Sequence, residues 1–246
     1  MTAVQVKGLT KKYKAKTAVD SLDLTVEEGE LFALLGVNGA GKTTTIRMLT
    51  CLSKPTAGEA YICGHNTASE SAEVKALVGI SPQDTAVAEN LTVKENLTLA
   101  ARIYGFSEKK TEQRIREMTE LFNLGEVLDS RAKTLSGGWK RKVSIAMALI
   151  SEPKVLFLDE PTLGLDVLAR RELWCAIESL KGKITVILTT HYMEEAEQLS
   201  DRIAIMTGGK IRAIGTLQEL EQISGETGLE NAFVKIAESS MGGASV

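Results

Sequence analysis

The sequence predicts an α/β protein with a parallel-sheet core, an antiparallel β part at the N-terminus and a helical insert. The first forty or so residues alternate apolar and polar side chains, later strand segments are continuously apolar, and the stretch between them has a helical pattern. The 246 residues are 43% hydrophobic and 25% charged. That length and composition suit one large domain or two small ones with a sizeable core.

The N-terminal part is predicted to contain half-buried antiparallel strands, because TAVQVKGL and TAVDSLDLTV show a period-two alternation. Residues 30–36 (ELFALLG) form a continuous apolar run instead, which indicates a strand buried on both faces of a parallel sheet. A helix is predicted from Lys42 to about Leu52. AYICG and VKALVGIS are predicted to add short strands.

From Asp84 onwards the pattern is helical. Residues 92–95 (TVKE) form a capping box, residues 108–122 place apolar side chains at helical spacing, and residues 137–151 predict a third helix. Buried strands return at residues 155–158 and 184–188, with a helix between them, which is a βαβ unit.

A hairpin around Gly208-Gly209 and a short helix capped by Thr216 are predicted to follow, and the last residues, SSMGGASV, are predicted to fray. We therefore expect a single domain over residues 1–246. Its α/β core comprises residues 1–83 and 152–246, and its helical insert comprises residues 84–151.

Charge and hydropathy exclude two classes of protein. The chain has 29 Lys and Arg against 32 Asp and Glu, a net charge of −3, so no nucleic-acid partner is expected. The longest charge-free run covers residues 31–41, well short of the roughly 18 residues that span a bilayer. The N-terminus also lacks the apolar segment of a secretory signal. We expect a chain that neither spans a membrane nor is secreted.

Residues 36–43 (GVNGAGKT) match G-x-x-x-x-G-K-[ST], between a predicted buried strand and a predicted helix. Glycines allow backbone N–H groups to turn toward phosphate oxygens, and the helix N-terminus favours anions. Lys42 is predicted to reach the β- and γ-phosphates of a nucleotide, and the Thr43 hydroxyl to bind Mg²⁺. These residues predict a P-loop NTPase.

Asp159 and Glu160 directly follow the second buried strand. The carboxyl ends of parallel strands are where ligands of open α/β sheets bind. Asp159 is predicted to hold Mg²⁺ through its water shell, and Glu160 to act as the general base for the attacking water.

A third motif points to a family. TLSGGWKRK, residues 134–142, resembles the LSGGQ signature of ATP-binding cassette (ABC) proteins and lies about twenty residues before Asp159. Gln83 in GISPQD resembles the Q-loop, residues 161–166 the D-loop, His191 in TTHYMEEAE the H-switch and Tyr13 the aromatic A-loop. The resemblance runs from about Val4 to Gly215, with seven motifs in order.

The resemblance implies an ABC ATPase fold, with a RecA-like core, and roles for individual residues. Tyr13 would stack on adenine and Thr44 would help hold the α-phosphate. Gln83 would touch Mg²⁺ and the attacking water, and His191 the γ-phosphate. The implied contacts of the P-loop with ATP are Gly36, Asn38, Gly39, Ala40, Gly41, Lys42, Thr43 and Thr44.

The resemblance also implies a head-to-tail dimer around two nucleotides, formed with a second copy or a related cassette. Ser136, Gly137 and Gly138 would contact the ATP bound to the other subunit. Asp166 would couple the two subunits across the dimer interface, called the seam below. One position departs from the family, because Trp139 stands where Gln or Met is usual. The helix N-terminus and Ser136 remain, so anion binding should survive.

Three classes of function compete. A nucleotide kinase needs neither an LSGG element nor a D-loop. A soluble ABC ATPase of translation or chromosome maintenance usually carries two cassettes or long coiled coils, and it is kept as the alternative. TTHYMEEAEQLSDRIAIMTGGKIRAIGT, with LENAFVKI downstream, resembles the exporters of bacteria and archaea that handle drugs, antibiotics, polysaccharides or sodium.

We therefore expect the ATP-binding subunit of an ABC exporter, held at the cytoplasmic face of the membrane by a separate transmembrane permease. The expected docking surface is the groove between the core and the helical insert, lined by residues 83–95. Its apolar residues Ala86, Val87 and Leu91 would contact a short helix of the permease or, alternatively, close the small core of the insert itself.

Overall fold

The computed structural model describes residues 1–239. Within that range, strands form one sheet of four and one sheet of six. In chain order they are β1 (Thr2–Tyr13), β2 (Lys16–Glu27), β3 (Leu31–Leu35), β4 (Ala57–Ile62), β5 (His65–Asn66), β6 (Val78–Ser81), β7 (Val155–Asp159), β8 (Thr185–Thr190), β9 (Arg202–Thr207) and β10 (Lys210–Gly215).

Helices cover the large sheet and fill the stretch between β6 and β7. No helix in the described part of the chain combines the length and apolar character needed to cross a membrane. In chain order the helices are α1 (Lys42–Leu49), α2 (Ser71–Leu77), α3 (Val93–Ile103), α4 (Glu108–Phe122), α5 (Gly137–Leu149), α6 (Val167–Glu178), α7 (Met193–Leu199), α8 (Leu217–Ser224) and α9 (Leu229–Ser239).

The four-stranded sheet is antiparallel, with the order β2-β1-β4-β5. The register sets Val6 of β1 opposite Leu24 on one side and Ala60 on the other. Buried and exposed side chains alternate along most of β2, because one face of the sheet packs on the core and the other meets solvent. The predicted half-buried strands are confirmed.

The six-stranded sheet has the order β10-β9-β3-β8-β7-β6 and is parallel except for the edge strand β10. Every residue of β3, β7 and β8 is buried, as their continuous apolar runs predict. Leu35 lies opposite Thr190, and Asp159 opposite Thr189. The carboxyl ends of these three strands therefore share one edge, where α/β sheets bind ligands.

A hydrophobic core packs on each face of this sheet, and β3 contributes to both. Leu31, Ala33 and Leu35 lie in the core shared with helices α3 to α9. Phe32 and Leu34 lie in the other core, between the two sheets, with α1 and α2. Because successive side chains of a strand point to opposite faces, one short strand fixes the phosphate-binding loop between two packed layers.

The helices between β6 and β7 begin as predicted. Thr92 and Glu95 form a capping box at the N-terminus of α3, and α4 buries Ile115, Met118 and Phe122. Helix α5 packs on α3 and α4 and also on β6. This contact links the helical segment to the sheet, whereas the boundaries at residues 84 and 151 stay a prediction.

Two local predictions are wrong. Residues 74–77 of VKALVGIS are helical, in α2, and the strand begins only at Val78. Val74 and Val78 are both buried, and a spacing of four also suits one face of a helix, which the alternating interpretation overlooked. Helix α1 ends at Leu49 rather than near Leu52. The predicted fraying of the C-terminus falls on residues 240–246, outside the described residues, while Ser239 ends α9.

Candidate nucleotide-binding site

The loop between β3 and α1 is held so tightly that two of its glycines admit no side chain. A Cβ on Gly36 would lie 2.4 Å from the Met206 carbonyl oxygen, and one on Gly41 would lie 2.6 Å from the carbonyl oxygen of Ala18. Gly41 also has φ 110° and directly precedes α1, a conformation that L-residues rarely adopt. The loop therefore turns the N-terminus of α1 toward the edge shared by β3, β7 and β8.

Lys42, the first residue of α1, is only 5% exposed. Its Nζ donates to the carbonyl oxygens of Gly36 at 2.7 Å and Val37 at 3.4 Å. It also lies 3.3 Å from Oε1 of Glu160. The Lys42 side chain thus lies back along the loop. Its ammonium group is placed where a phosphate oxygen would compete with the Glu160 carboxylate for it.

Asp159 ends β7 and is buried. Its Oδ1 accepts hydrogen bonds from the Thr43 hydroxyl at 3.1 Å and from the Thr189 hydroxyl at 2.5 Å. A carboxylate and a hydroxyl from two different elements therefore meet at the start of α1. Hard oxygen donors of this kind are the ligands that Mg²⁺ prefers, so the donor set fits the predicted ion.

Glu160 has a left-handed backbone, φ 49°, which is uncommon for a residue other than glycine and is often found at functional sites. Its N–H donates to both the carbonyl and the hydroxyl oxygen of Thr189, at 3.1 Å each. Its side chain is directed between Lys42 and His191, whose Nδ1 lies 3.2 Å from Oε2. Strand geometry thus sets one carboxylate between the two predicted γ-phosphate ligands.

These groups open on a cavity of about 540 Å³, within the usual range for small-molecule sites. Tyr13, which is 45% exposed, stands at its margin. Gln83 also contributes to the wall. The cavity is lined by Tyr13, Lys16, Ala18, Asn38, Gly39, Ala40, Gly41, Lys42, Thr43, Thr44, Gln83, Glu160, Leu163 and His191.

The predicted signature residues lie outside this cavity wall. Ser136 is exposed and caps α5 by accepting from the Trp139 N–H at 3.5 Å. Gly137 opens that helix, and a Cβ on Gly138 would lie 3.1 Å from the Ala169 Cβ of α6. Asp166 caps α6 through the N–H groups of Leu168 and Ala169, at 3.0 Å each. The structure brings the P-loop, Asp159, Glu160 and His191 together but leaves these residues apart from them.

The Trp139 side chain packs against a neighbouring side chain of its own helix, α5. The Lys142 Nζ lies 4.6 Å from the centre of the indole ring, in a cation–π contact. The same ammonium group contacts Glu172 of α6 at 2.6 Å. The ring also packs against the larger hydrophobic core. The bulky residue at the usual Gln or Met position therefore contacts Lys142, which in turn pairs with Glu172 of α6.

Sequence reasoning missed the residue that fixes the Gln83 loop. Arg141 of α5 is 4% exposed and donates to the carbonyl oxygen of Pro82 at 2.6 Å and to that of Gln83. Burial lowers the pKa of its guanidinium, while Asp159 and Asp84 oppose that shift. A basic run, KRK, gives no sign that its middle residue is internal. The contact links the signature helix to a wall of the cavity.

The fold and this site define a P-loop nucleotide-binding protein. A glycine-rich loop follows a buried strand, its lysine and threonine face a strand-end carboxylate, and a second carboxylate lies beside them. A match to the family model described as "ABC transporter" covers residues 19–163, more than half of the chain. The chain belongs to the ABC transporter family, as the resemblance implies.

Relatives and a solved structure agree with this assignment. The chain is 42% identical to the daunorubicin/doxorubicin resistance ATP-binding protein DrrA of Streptomyces peucetius, over 91% of this chain and 68% of that protein. It is 41% identical to human phospholipid-transporting ATPase ABCA3 over 90% of this chain, but spans only 13% of that protein. The dimeric structure of the bacterial ABC transporter cassette MJ0796 superposes with a TM-score of 0.79, at 27% identity, over 87% of this chain and 98% of that one.

Proposed function

We propose that this chain binds and hydrolyses Mg·ATP as the ATP-binding subunit of an ABC exporter. The observation that carries the proposal is that the Glu160 carboxylate lies 3.3 Å from the Lys42 Nζ and 3.2 Å from the His191 Nδ1, with all three residues in the wall of one cavity. Such a cluster, at the N-terminus of a helix, suits a polyphosphate and a water molecule held in line with its terminal phosphorus.

In this proposal the P-loop residues from Gly36 to Thr44 hold the phosphates through backbone N–H groups and the Lys42 ammonium. Thr43 and Asp159, which already share a hydrogen bond, would hold Mg²⁺ together with Gln83. The ion supplies charge neutralisation for the phosphate oxygens. Tyr13, at the margin of the cavity, would stack on the adenine ring.

Glu160 would accept the proton of the attacking water, with His191 contacting the γ-phosphate. Glu160 also pairs with Lys42, whose Nζ lies 3.3 Å from its Oε1. A γ-phosphate that draws the ammonium away releases this carboxylate for base chemistry. Binding of the substrate and activation of the base are coupled in this way through one ion pair.

The second half of each site would come from a partner cassette. Ser136, Gly137 and Gly138 are exposed or half-buried and lie outside their own chain's cavity wall, so they are free to meet ATP held by another copy. Asp166, at the start of α6, would lie at the same seam. The dimeric cassette MJ0796, to which this chain is similar, supports that arrangement.

The exporter assignment rests on the relatives. DrrA is named for drug resistance and ABCA3 for phospholipid transport. We propose a separate transmembrane permease as the partner and the cytoplasmic face of the membrane as the location. The alternative, a soluble ABC ATPase without a transport role, lacks support from any of these names.

The proposed docking site for the permease is an apolar groove of about 470 Å³ between the sheet and the helical segment. Its exposed apolar side chains are Leu52, Leu99, Ile103 and Tyr104, and Ile103 is 74% exposed. Ala86 is in its wall, but Val87 packs against the main core and Leu91 is half-buried. The groove thus includes Ala86 from the expected residues 83–95, and its exposed apolar side chains are centred on α3. Its proposed occupant is a short helix with an apolar face.

Co-purification with the permease tests this groove. Ile103→Asp and Ala86→Asp should abolish capture of the permease and leave the ATPase activity of the isolated chain within about twofold, because a buried charge disfavours an apolar contact. Ile223→Asp is the matched control, since Ile223 of α8 is 59% exposed and lies outside the groove. Undiminished capture by Ile103→Asp would move the docking site elsewhere.

Phosphate release by the purified chain tests the enzymatic proposal. Hydrolysis should depend on Mg²⁺, stop on chelation with EDTA and co-elute with the protein on size exclusion. ATP binding with no hydrolysis at any protein concentration would contradict the assignment of Glu160 as a base.

A further inference from the structure

Glu195, in the first turn of α7, is a carboxylic residue with 0% exposure. Its neighbour Glu194 has a side chain that is 72% exposed. Glu195 lies four residues after His191 and is not in the wall of the nucleotide cavity. Burying a carboxyl group is costly unless it is hydrogen-bonded or neutral, so its position requires a physical explanation.

The carboxyl group is the meeting point of three segments. The Trp174 indole N–H of α6 donates to Oε1 at 3.1 Å. The hydroxyls of Thr190 and Thr162 are close enough to lower the pKa of the carboxyl. Nevertheless, Glu195 Oε2 and Thr162 Oγ1 form no hydrogen bond of standard geometry. Each of these two buried polar atoms therefore lacks a hydrogen-bond partner of standard geometry, although the Thr162 hydroxyl is near enough to the carboxyl group to affect its pKa.

Each of these contacts leads to a different predicted site residue. Thr162 follows Glu160 by two positions, and Thr190 directly precedes His191. Trp174 lies on α6, the helix that Asp166 caps. Glu195 therefore lies beside the three segments that carry the predicted general base Glu160, the predicted γ-phosphate ligand His191 and the predicted dimer-interface residue Asp166.

We propose that Glu195 is a positioning residue for ATP hydrolysis. Its carboxyl group joins the segment after Glu160 to the strand end before His191 and to α6, so that these segments move as a unit when nucleotide binds. This inference rests on the proposed function, since it concerns the same reaction.

The pKa of the Glu195 carboxyl group shifts in the direction expected from its burial. Burial raises the pKa of Glu195 above its ordinary value of 4.5, although the neighbouring hydroxyls, Trp174 and Arg170 oppose the shift. Arg141 of α5 also interacts electrostatically with Glu195. A proton on Oε2 would allow the carboxyl group to donate there while Oε1 accepts from the Trp174 indole N–H.

Steady-state kinetics of three variants test the proposal. Glu195→Ala should lower kcat roughly 10- to 100-fold with an unchanged KM for ATP, because misplaced catalytic groups slow the chemical step. Glu195→Gln keeps one acceptor and one donor and should retain kcat within about twofold. Leu199→Ala is the matched control, because Leu199 is a buried residue of the same helix. It should lose comparable stability and keep its kcat.

Trp174→Phe provides a test should Glu195→Ala fail to fold. It removes only the indole donor to Oε1 and should lower kcat in the same direction, by a few-fold, with KM unchanged.

The pH dependence of the free energy of unfolding tests whether the pKa of Glu195 is raised in the folded chain. Folded Glu195 keeps its proton to higher pH than the unfolded chain does, so the wild-type free energy of unfolding should fall relative to that of Glu195→Gln as pH rises above about 4.5. A difference that is flat with pH would contradict a raised pKa of Glu195 in the folded chain.

The outcomes separate this inference from the proposed function. If the wild-type chain does not hydrolyse ATP, the proposed function fails. If the wild type is active while Glu195→Ala and Trp174→Phe keep the wild-type kcat, or if Leu199→Ala loses as much kcat as Glu195→Ala, the positioning role alone is overturned.

Discussion

The N-termini of α1 and α5 are both preceded by small residues that leave backbone N–H groups open, yet they differ in what surrounds them. The α1 terminus faces a cavity in which Lys42, Glu160 and His191 converge. The α5 terminus begins at an exposed Ser136, outside that cavity wall. One chain thus has one helix N-terminus at an assembled cavity and a second one that lies outside it. The difference supports the proposal that a complete hydrolytic site needs two chains.

The largest expected effect tests the cavity at the N-terminus of α1. Glu160→Gln should slow ATP hydrolysis by about 10²- to 10⁴-fold, because an amide cannot accept the proton of water. ATP binding, measured by titration calorimetry, should persist. Glu178→Gln, an exposed position on α6, is the control. A Glu160→Gln chain that keeps most of its rate would remove Glu160 from the role of base.

Lys42→Ala should act at an earlier step. It removes a charge-assisted contact to the phosphates in both the ground state and the transition state, so ATP affinity should fall roughly 10- to 100-fold. The measurement is a binding isotherm for ATP with Mg²⁺. Unchanged affinity would mean that the ammonium serves mainly to pair with Glu160.

Ser136→Asp tests the second half of the comparison. Aspartate caps a helix as well as serine does, so α5 should stay intact. Its charge should repel the partner's γ-phosphate and lower hydrolysis by about tenfold or more, while ATP still binds to the chain's own P-loop. Circular dichroism and a binding isotherm provide the controls. Undiminished hydrolysis would show that the α5 terminus meets no nucleotide.

Trp139→Gln should have the smallest effect. It removes the cation–π contact with Lys142 and should lower the free energy of unfolding by roughly 0.5–1 kcal/mol. Hydrolysis should change by no more than about twofold, because the indole lies along the helix. Trp139→Phe keeps an aromatic ring and should be intermediate in a denaturant titration. A large change in rate at unchanged stability would place the indole at the dimer seam.

The sequence predicted the assembled half well, because local patterns specify it. GVNGAGKT, the apolar strands and the acids at the end of β7 are contiguous signals, and the parallel sheet then brings them to one edge. The remaining features depend on contacts between distant segments. Arg141 fixes the carbonyl of Gln83 from 58 residues away, and Glu195 is buried although its neighbour Glu194 is exposed.

The proposed docking groove also depends on contacts between distant segments. Its exposed apolar residues come from the end of the α1 segment and from α3, so no single stretch of sequence reveals it. The strand predicted over VKALVGIS was partly wrong for a different reason, because a four-residue spacing of valines fits a helix as readily as an alternating strand.

The dependence of ATPase activity on protein concentration tests the central claim most directly. Each cavity lacks a signature helix from its own chain, so hydrolysis should require a transient dimer. Over a hundredfold dilution series at saturating Mg·ATP, the rate per molecule should rise with concentration until the dimer saturates. A rate that stays strictly proportional to protein concentration across the whole series would contradict the claim that a single chain holds only half of each site.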